Sequence, residues 1–168
     1  MEILKTATEW AKAEVFSSIF FIVFGALFVA ATIGFWQLGK TDLAKSFTFP
    51  TLVAGIFLLA VGLGLFFLNQ SRSTSFPEAY SSDASAFVES EISRTEKSIK
   101  EYETVVFRAI PIIVIICALL ILFIDKPIWR AISITTIAMM AIIFLVDSNA
   151  HSRLQDYNKE LVKVENQP

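Results

Sequence analysis

Few side chains in this sequence could carry chemistry, and they stand apart. His151 is the single histidine and Cys117 the single cysteine, so no His, Cys and carboxylate cluster has the spacing of a metal site. Cys117 lies inside an apolar run, where it reads as a small buried apolar residue. Ser17, Ser18, Ser133, Thr135 and Thr136 have no neighbouring base to activate a hydroxyl. There is no Gly-x-Ser-x-Gly elbow and no phosphate-cradling glycine loop. The expectation is a protein that is not an enzyme, with no cofactor and no metal.

The charges that border apolar sequence are the remaining candidates. Glu14 precedes one apolar run, Arg108 lies about a turn into another, and Asp147 ends a third. Charges at such places are costly and often functional. Arg108 and Asp147 are expected to meet as a structural ion pair, with a charged constriction or a headgroup site as the sharper use of the same two groups. On that reading, loss of Asp147 destabilises the protein more than loss of Glu14. No ionisable group falls near the middle of any apolar run, which argues against ion-coupled transport.

The elements that position these residues are four apolar stretches, 15–38, 47–68, 105–124 and 128–146. Each approaches the ~20 residues a helix needs to cross a hydrocarbon layer. Apolar residues make up 55% of the 168-residue chain and mean hydropathy is +0.63, as an integral membrane protein requires. The first run is too long for a cleaved signal and is read as a retained helix. Near-balanced charge, a formal −2, gives no basic patch for nucleic acid. The predicted class is all-α, a polytopic membrane protein with four transmembrane helices. Its segments are an amphipathic interfacial helix (1–14), a transmembrane hairpin (15–68), an irregular connector rich in Ser and containing Pro77 (69–82), and a long helical hairpin (83–168).

Within the first hairpin, Phe16, Phe20, Phe24 and Phe28 form one stripe, and Ala26, Ala30 and Gly34 form another. Small residues at this spacing let two backbones approach. Gly55 and Gly62 repeat the theme in the second run, so Ala26, Ala30, Gly34, Gly55 and Gly62 are expected to pack the two helices together.

The second hairpin carries the sharpest pattern. Val88, Ile92, Thr95, Ile99 and Tyr102 alternate by steps of four and three, as do Ala150, Leu154, Tyr157, Leu161 and Val164. Folding the chain back at Lys126 brings the two series into antiparallel register, with Tyr102 opposite Ala150 and Ile92 opposite Leu161. The hairpin is therefore expected to outlast the membrane as an antiparallel coiled coil. Its outgoing arm starts at Ser82 or Asp83, and Pro127 opens the return arm. A seam this short needs further packing, against the N-terminal helix, the 69–82 segment or another protomer.

Ten of the fourteen Lys and Arg residues fall on the side of the termini, which places both termini in the cytoplasm of a plasma or bacterial inner membrane. Two function classes fit. The favoured one is a membrane scaffold or accessory subunit, embedded in the lipid bilayer and acting through self-association or partner docking by its cytoplasmic stalk. The alternative is an oligomeric small channel or transporter-like pore. A homo-oligomer or a membrane-complex partner is expected; nucleic acid is not.

Overall fold

The computed structural model describes residues 2–166, and these are almost entirely helical. Helix α1 is Glu2–Leu38, α2 is Asp42–Ser46, α3 is Thr48–Ser82, and α4 is Ala84–Thr104. A π-helical turn, Val105–Ala109, joins α4 to α5, Ile110–Phe123, and α6 is Pro127–Glu165. Met1, Gln167 and Pro168, the outer ends of the first and last predicted segments, lie outside the described residues. Four stretches of helix are long and apolar enough to cross a membrane: α1, α2 with α3, α4 through α5, and α6. Length and composition thus point to a membrane protein.

The breaks have local causes. Thr41 caps α2 by accepting the Ala44 N–H at 3.1 Å, and Asp83 caps α4 by accepting the Ala86 N–H at 2.9 Å. Asp83 is also extended, with φ −154° and ψ 102°, which is where the chain reverses between α3 and α4. Pro127 opens α6, where its missing N–H needs no helical partner. The π turn ends two residues before Pro111. In a regular helix the Pro111 ring would strike the Phe107 carbonyl, and the wider π turn relieves that conflict.

Two predicted segments differ from what forms. The 69–82 segment is helix, not an irregular connector: α3 continues through Pro77 to Ser82. Phe76 anchors it in the core, in edge contact with Phe87 at 5.3 Å. Apolar burial outweighs the poor helix propensity of Ser and Thr here. The 1–14 segment is likewise no separate interfacial element, because α1 runs unbroken from Glu2. Its apolar face, Ile3, Ala7, Trp10 and Ala11, is buried against the other helices instead.

Outside the four apolar runs, the helix ends make a common head. Ile3, Ala7, Trp10 and Ala11 of α1, Phe76 of α3, Phe87 and Val88 of α4, and Leu154, Tyr157 and Leu161 of α6 form one buried cluster. Ile92, Ile99 and Tyr102 pack against it. Four limbs therefore share a core, with the start of α1 and the end of α3 packed on α4 and α6; the N-terminal helix and the 69–82 segment were two of the three supports that the sequence reading named. Within the apolar region α1 packs on α3, whereas α5 touches α6 alone among the long helices.

The α1–α3 contact corrects the small-residue prediction. Gly55 and Gly62 are at the interface: a Cβ on Gly55 would lie 2.8 Å from Val29 Cγ2, and one on Gly62 would lie 2.9 Å from the Ile22 backbone nitrogen. Ala26 and Ala30 are exposed, and a Cβ on Gly34 would meet nothing. The partner face of α1 is instead that of Phe21, Gly25 and Thr32, with the Thr32 and Thr51 hydroxyls bonded at 2.9 Å. Gly25 and Thr32 lie a residue or two from the predicted stripe, a large rotation at 3.6 residues per turn.

Candidate functional site

Where the apolar runs end and the head begins, polar side chains from four helices surround a half-open cavity of about 360 Å³. Glu14, Ser17 and Ser18 come from the α1 face that carries Phe21 one turn later. Asn69 and Arg72, one turn apart, come from α3. Arg94, Ser98, Glu101 and Tyr102 come from α4, and Asp147 from α6. The opposite end of the cavity is apolar, formed by Phe21, Leu65, Leu68, Val106 and Val146. One cavity thus has a polar end in the head and an apolar end among the membrane-crossing segments.

Two ion pairs brace the polar end. Arg153 donates through Nε and Nη2 to Glu14 Oε1 at 3.1 and 3.0 Å, and through Nη2 to Ser17 Oγ at 2.6 Å. Arg94 donates to both oxygens of Glu91, at 2.8 and 2.6 Å, and the Tyr157 hydroxyl donates to Glu91 Oε2 at 3.0 Å. The Arg94 guanidinium lies 4.7 Å from the Trp10 ring centre, and Trp10 stacks on Tyr157 at 5.1 Å. Charge-assisted bonds of this type are worth about 1.5–3 kcal/mol each when well sheltered.

Three charged residues lining the same cavity have no ion-pair partner among the described residues: Glu101, exposed at its rim, and Arg72 and Asp147, which are half-buried. Arg72 donates to Asn69 Oδ1 at 3.0 Å but meets no carboxylate, and Asp147 has neither an ion pair nor a side-chain hydrogen bond among the described residues. Burial, and then the Arg94 charge, act against the Arg72 cation and lower its pKa. Burial first and the Glu14 charge second push the Asp147 carboxyl, one residue beyond its apolar run, up to about 7. Glu14 is also raised by burial, with Arg153 opposing the rise. Burial is the main cause that lifts the Tyr102 and Tyr157 hydroxyls, so both stay protonated.

The predicted Arg108–Asp147 pair does not form. Arg108 sits in the π turn and is exposed. The extra residue in that turn changes the helical phase by roughly a hundred degrees, enough to carry Arg108 off the α6 side. Glu14 is the boundary acid that finds a base, Arg153, for which the sequence reading gave no partner.

The predicted seam residues range from buried to exposed positions. Val88, Thr95, Leu154, Tyr157 and Leu161 are buried, while Val164 is exposed. Thr95 Oγ1 accepts from Asn158 Nδ2 at 2.6 Å, and the Tyr102 ring lies 5.7 Å from the His151 ring, so α4 and α6 touch at these positions. His151 is buried between Tyr102 and Phe107, the latter ring at 5.1 Å. The Glu14, Arg72 and Glu91 cluster was missed. Its signal was present in part: polar residues one helical turn apart at the edges of two apolar runs, Glu14 with Ser17 and Asn69 with Arg72.

Among the described residues, no three His, Cys, Asp or Glu side chains converge as a metal would require. No protein-family model, curated protein or solved structure was found to match the chain.

Proposed function

We propose that this chain is a non-enzymatic membrane scaffold or accessory subunit that works through its head. In this reading the head is cytoplasmic, on the strength of the Lys and Arg distribution. Its α4 and α6 limbs pair as an antiparallel coiled coil, buttressed by the ends of α1 and α3. The observation that carries the proposal is the shared core from Ile3 to Leu161. A chain that needed only to sit in lipid would have no use for four helix ends packed around buried aromatics beyond the membrane. The faces they turn outward carry alternating charge, including Glu96, Lys97, Lys100, Lys159 and Lys163, a pattern suited to a polar, reversible contact with protein.

Self-association has support at the membrane level as well. Helix α5 touches only α6 among the long helices, and Ile112, Ile115, Leu119 and Leu122 are exposed along it. Mass photometry of the full chain in nanodiscs, with and without charge reversal at Lys159 and Lys163, tests the reading. A defined oligomer or a co-purified partner that depends on those lysines supports it. A monomer with no retained partner refutes it, and ion flux in liposomes would transfer the assignment to a pore.

A further inference from the structure

The boundary cavity is built for an amphiphile with two opposite charges. Its two ion pairs are self-contained, which leaves the Arg72 guanidinium and the Asp147 carboxyl group lining the cavity without an ion-pair partner among the described residues, the carboxyl being the group an incoming ammonium would ionise. Half-burying ionisable groups without a charge partner carries a cost, and a ligand that satisfies both recovers part of it. Trp10 lines the same cavity, and its buried indole N–H has no hydrogen-bond partner among the described residues. Glu101 adds a second carboxylate at the exposed rim.

The apolar end decides where the ligand comes from. Leu65 and Leu68 close a run of α3 that is apolar from Phe47, and Val105 and Val106 open the third run. Helix α3 does not pack closely against the π turn or α5, and the half-open cavity is lined from the two sides of that gap by Leu65 and Leu68 and by Val105 and Val106. Leu68 and Val105 are both exposed there, 47% and 55%, on the surface that hydrocarbon would cover. A molecule that arrives sideways from the membrane can place its headgroup against the charges and leave its chains outside. A soluble zwitterion would leave the apolar end empty.

We propose that this cavity is a phospholipid site selective for a headgroup with a phosphate and a primary ammonium, the phosphate held by Arg72 and the ammonium by Asp147. The site depends on the chain crossing a membrane and is independent of the scaffold role. Phosphate suits a guanidinium, which can offer it two parallel N–H donors. An ammonium suits a lone carboxylate because it donates hydrogen bonds as well as charge, which a trimethylammonium cannot.

Native mass spectrometry of the full chain in detergent, with phosphatidylethanolamine, phosphatidylglycerol and phosphatidylcholine of identical acyl chains, tests the site. Retention of the ethanolamine lipid is expected to exceed that of either competitor by about tenfold, the scale of one charge-assisted hydrogen bond. Asp147→Asn is expected to abolish the preference over the glycerol lipid, and Arg72→Gln to weaken both while Arg72→Lys preserves much of the binding. Melting curves verify that each variant is folded. Equal retention of the ethanolamine and glycerol lipids by the unmodified chain overturns the proposal, as does a preference that survives Asp147→Asn. Displacement of the lipid by an equal concentration of free phosphoethanolamine overturns its assignment to the membrane.

Discussion

Replacing Gly25 by Ala tests whether α1 and α3 meet through glycine. The new Cβ would fall 2.8 Å from Leu59 Cγ, 2.8 Å from Leu59 N and 3.0 Å from Gly55 O. Leu59 could turn its side chain away, but two of the three atoms are backbone, so the helices themselves must part. Overpacking of this kind costs about 1–3 kcal/mol. Ala also favours helix over Gly by about 1 kcal/mol, which obscures the packing loss in a single variant. Gly34 supplies the control, since it lies on the same helix and a Cβ there meets nothing. The propensity gain is common to both, so the difference between Gly25→Ala and Gly34→Ala isolates the packing cost at about 1–3 kcal/mol. Reversible unfolding in mixed dodecyl maltoside and SDS micelles, followed by circular dichroism, measures it. Equal stabilities, or a less stable Gly34→Ala, would refute the interface and restore the Ala26, Ala30, Gly34 face.

The charged boundary gives a second test, with a sign set by burial. Asp147 holds its proton up to about 7 in the folded chain against an ordinary 3.8, so stability is greatest below that ordinary value and falls as pH rises through about 7. Asp147→Asn should therefore raise the melting temperature near about pH 8 and change little near about pH 4, in detergent free of amine lipids. Glu14→Gln should act in the opposite direction at neutral pH, destabilising by about 1–3 kcal/mol because Arg153 loses its carboxylate; an increase in melting temperature would contradict the pairing. Tyr157→Phe removes the hydroxyl on buried Glu91 and is expected to cost about 1–2 kcal/mol in the same unfolding assay. Hydrogen exchange at residues 70–82 should show protection typical of a packed helix, and Phe76→Ala should abolish it with a loss of about 3–4 kcal/mol; exchange at coil rates in the unmodified chain would restore the irregular connector.

Much of this architecture was legible from one dimension. Four apolar runs of crossing length and the alternation of Val88, Ile92, Thr95 and Ile99 against Leu154, Tyr157 and Leu161 are periodic signals, and both Asp83 and Pro127 mark ends by their own chemistry. The failures have a common physical source, which is that phase and partner are tertiary quantities. Gly25 and Ala26 are adjacent in sequence and about a hundred degrees apart on a helix, so a spacing rule finds a small-residue face without saying which face α3 uses. Arg108 was placed by assuming regular helix through Pro111, and the π turn before that proline moved it. Ser and Thr between 71 and 82 read as a loop because their local preference is for one, whereas Phe76 and Tyr80 pack on Phe87 and hold the segment helical.

The site could not be seen in the same way because its members are brought together by the head, not by any motif. Glu14 and Arg153 are 139 residues apart, and Glu91 and Tyr157 are 66 apart. What places them is the continuity of α1 and α6 across the end of their apolar runs, which carries each polar residue a fixed rise beyond the last apolar turn. A charge just outside such a run faces either water or a neighbour, and packing the four helix ends around Trp10, Leu154 and Tyr157 removes the water from one side. The carboxylates that found arginines then became braces for the head. Asp147 and Arg72, on the side where α3 leaves α5 uncovered, did not find each other. The same packing that builds the head therefore leaves the Arg72 guanidinium and the Asp147 carboxyl group without each other beside the ends of the apolar runs, and on the lipid-site proposal a phospholipid headgroup supplies both complements.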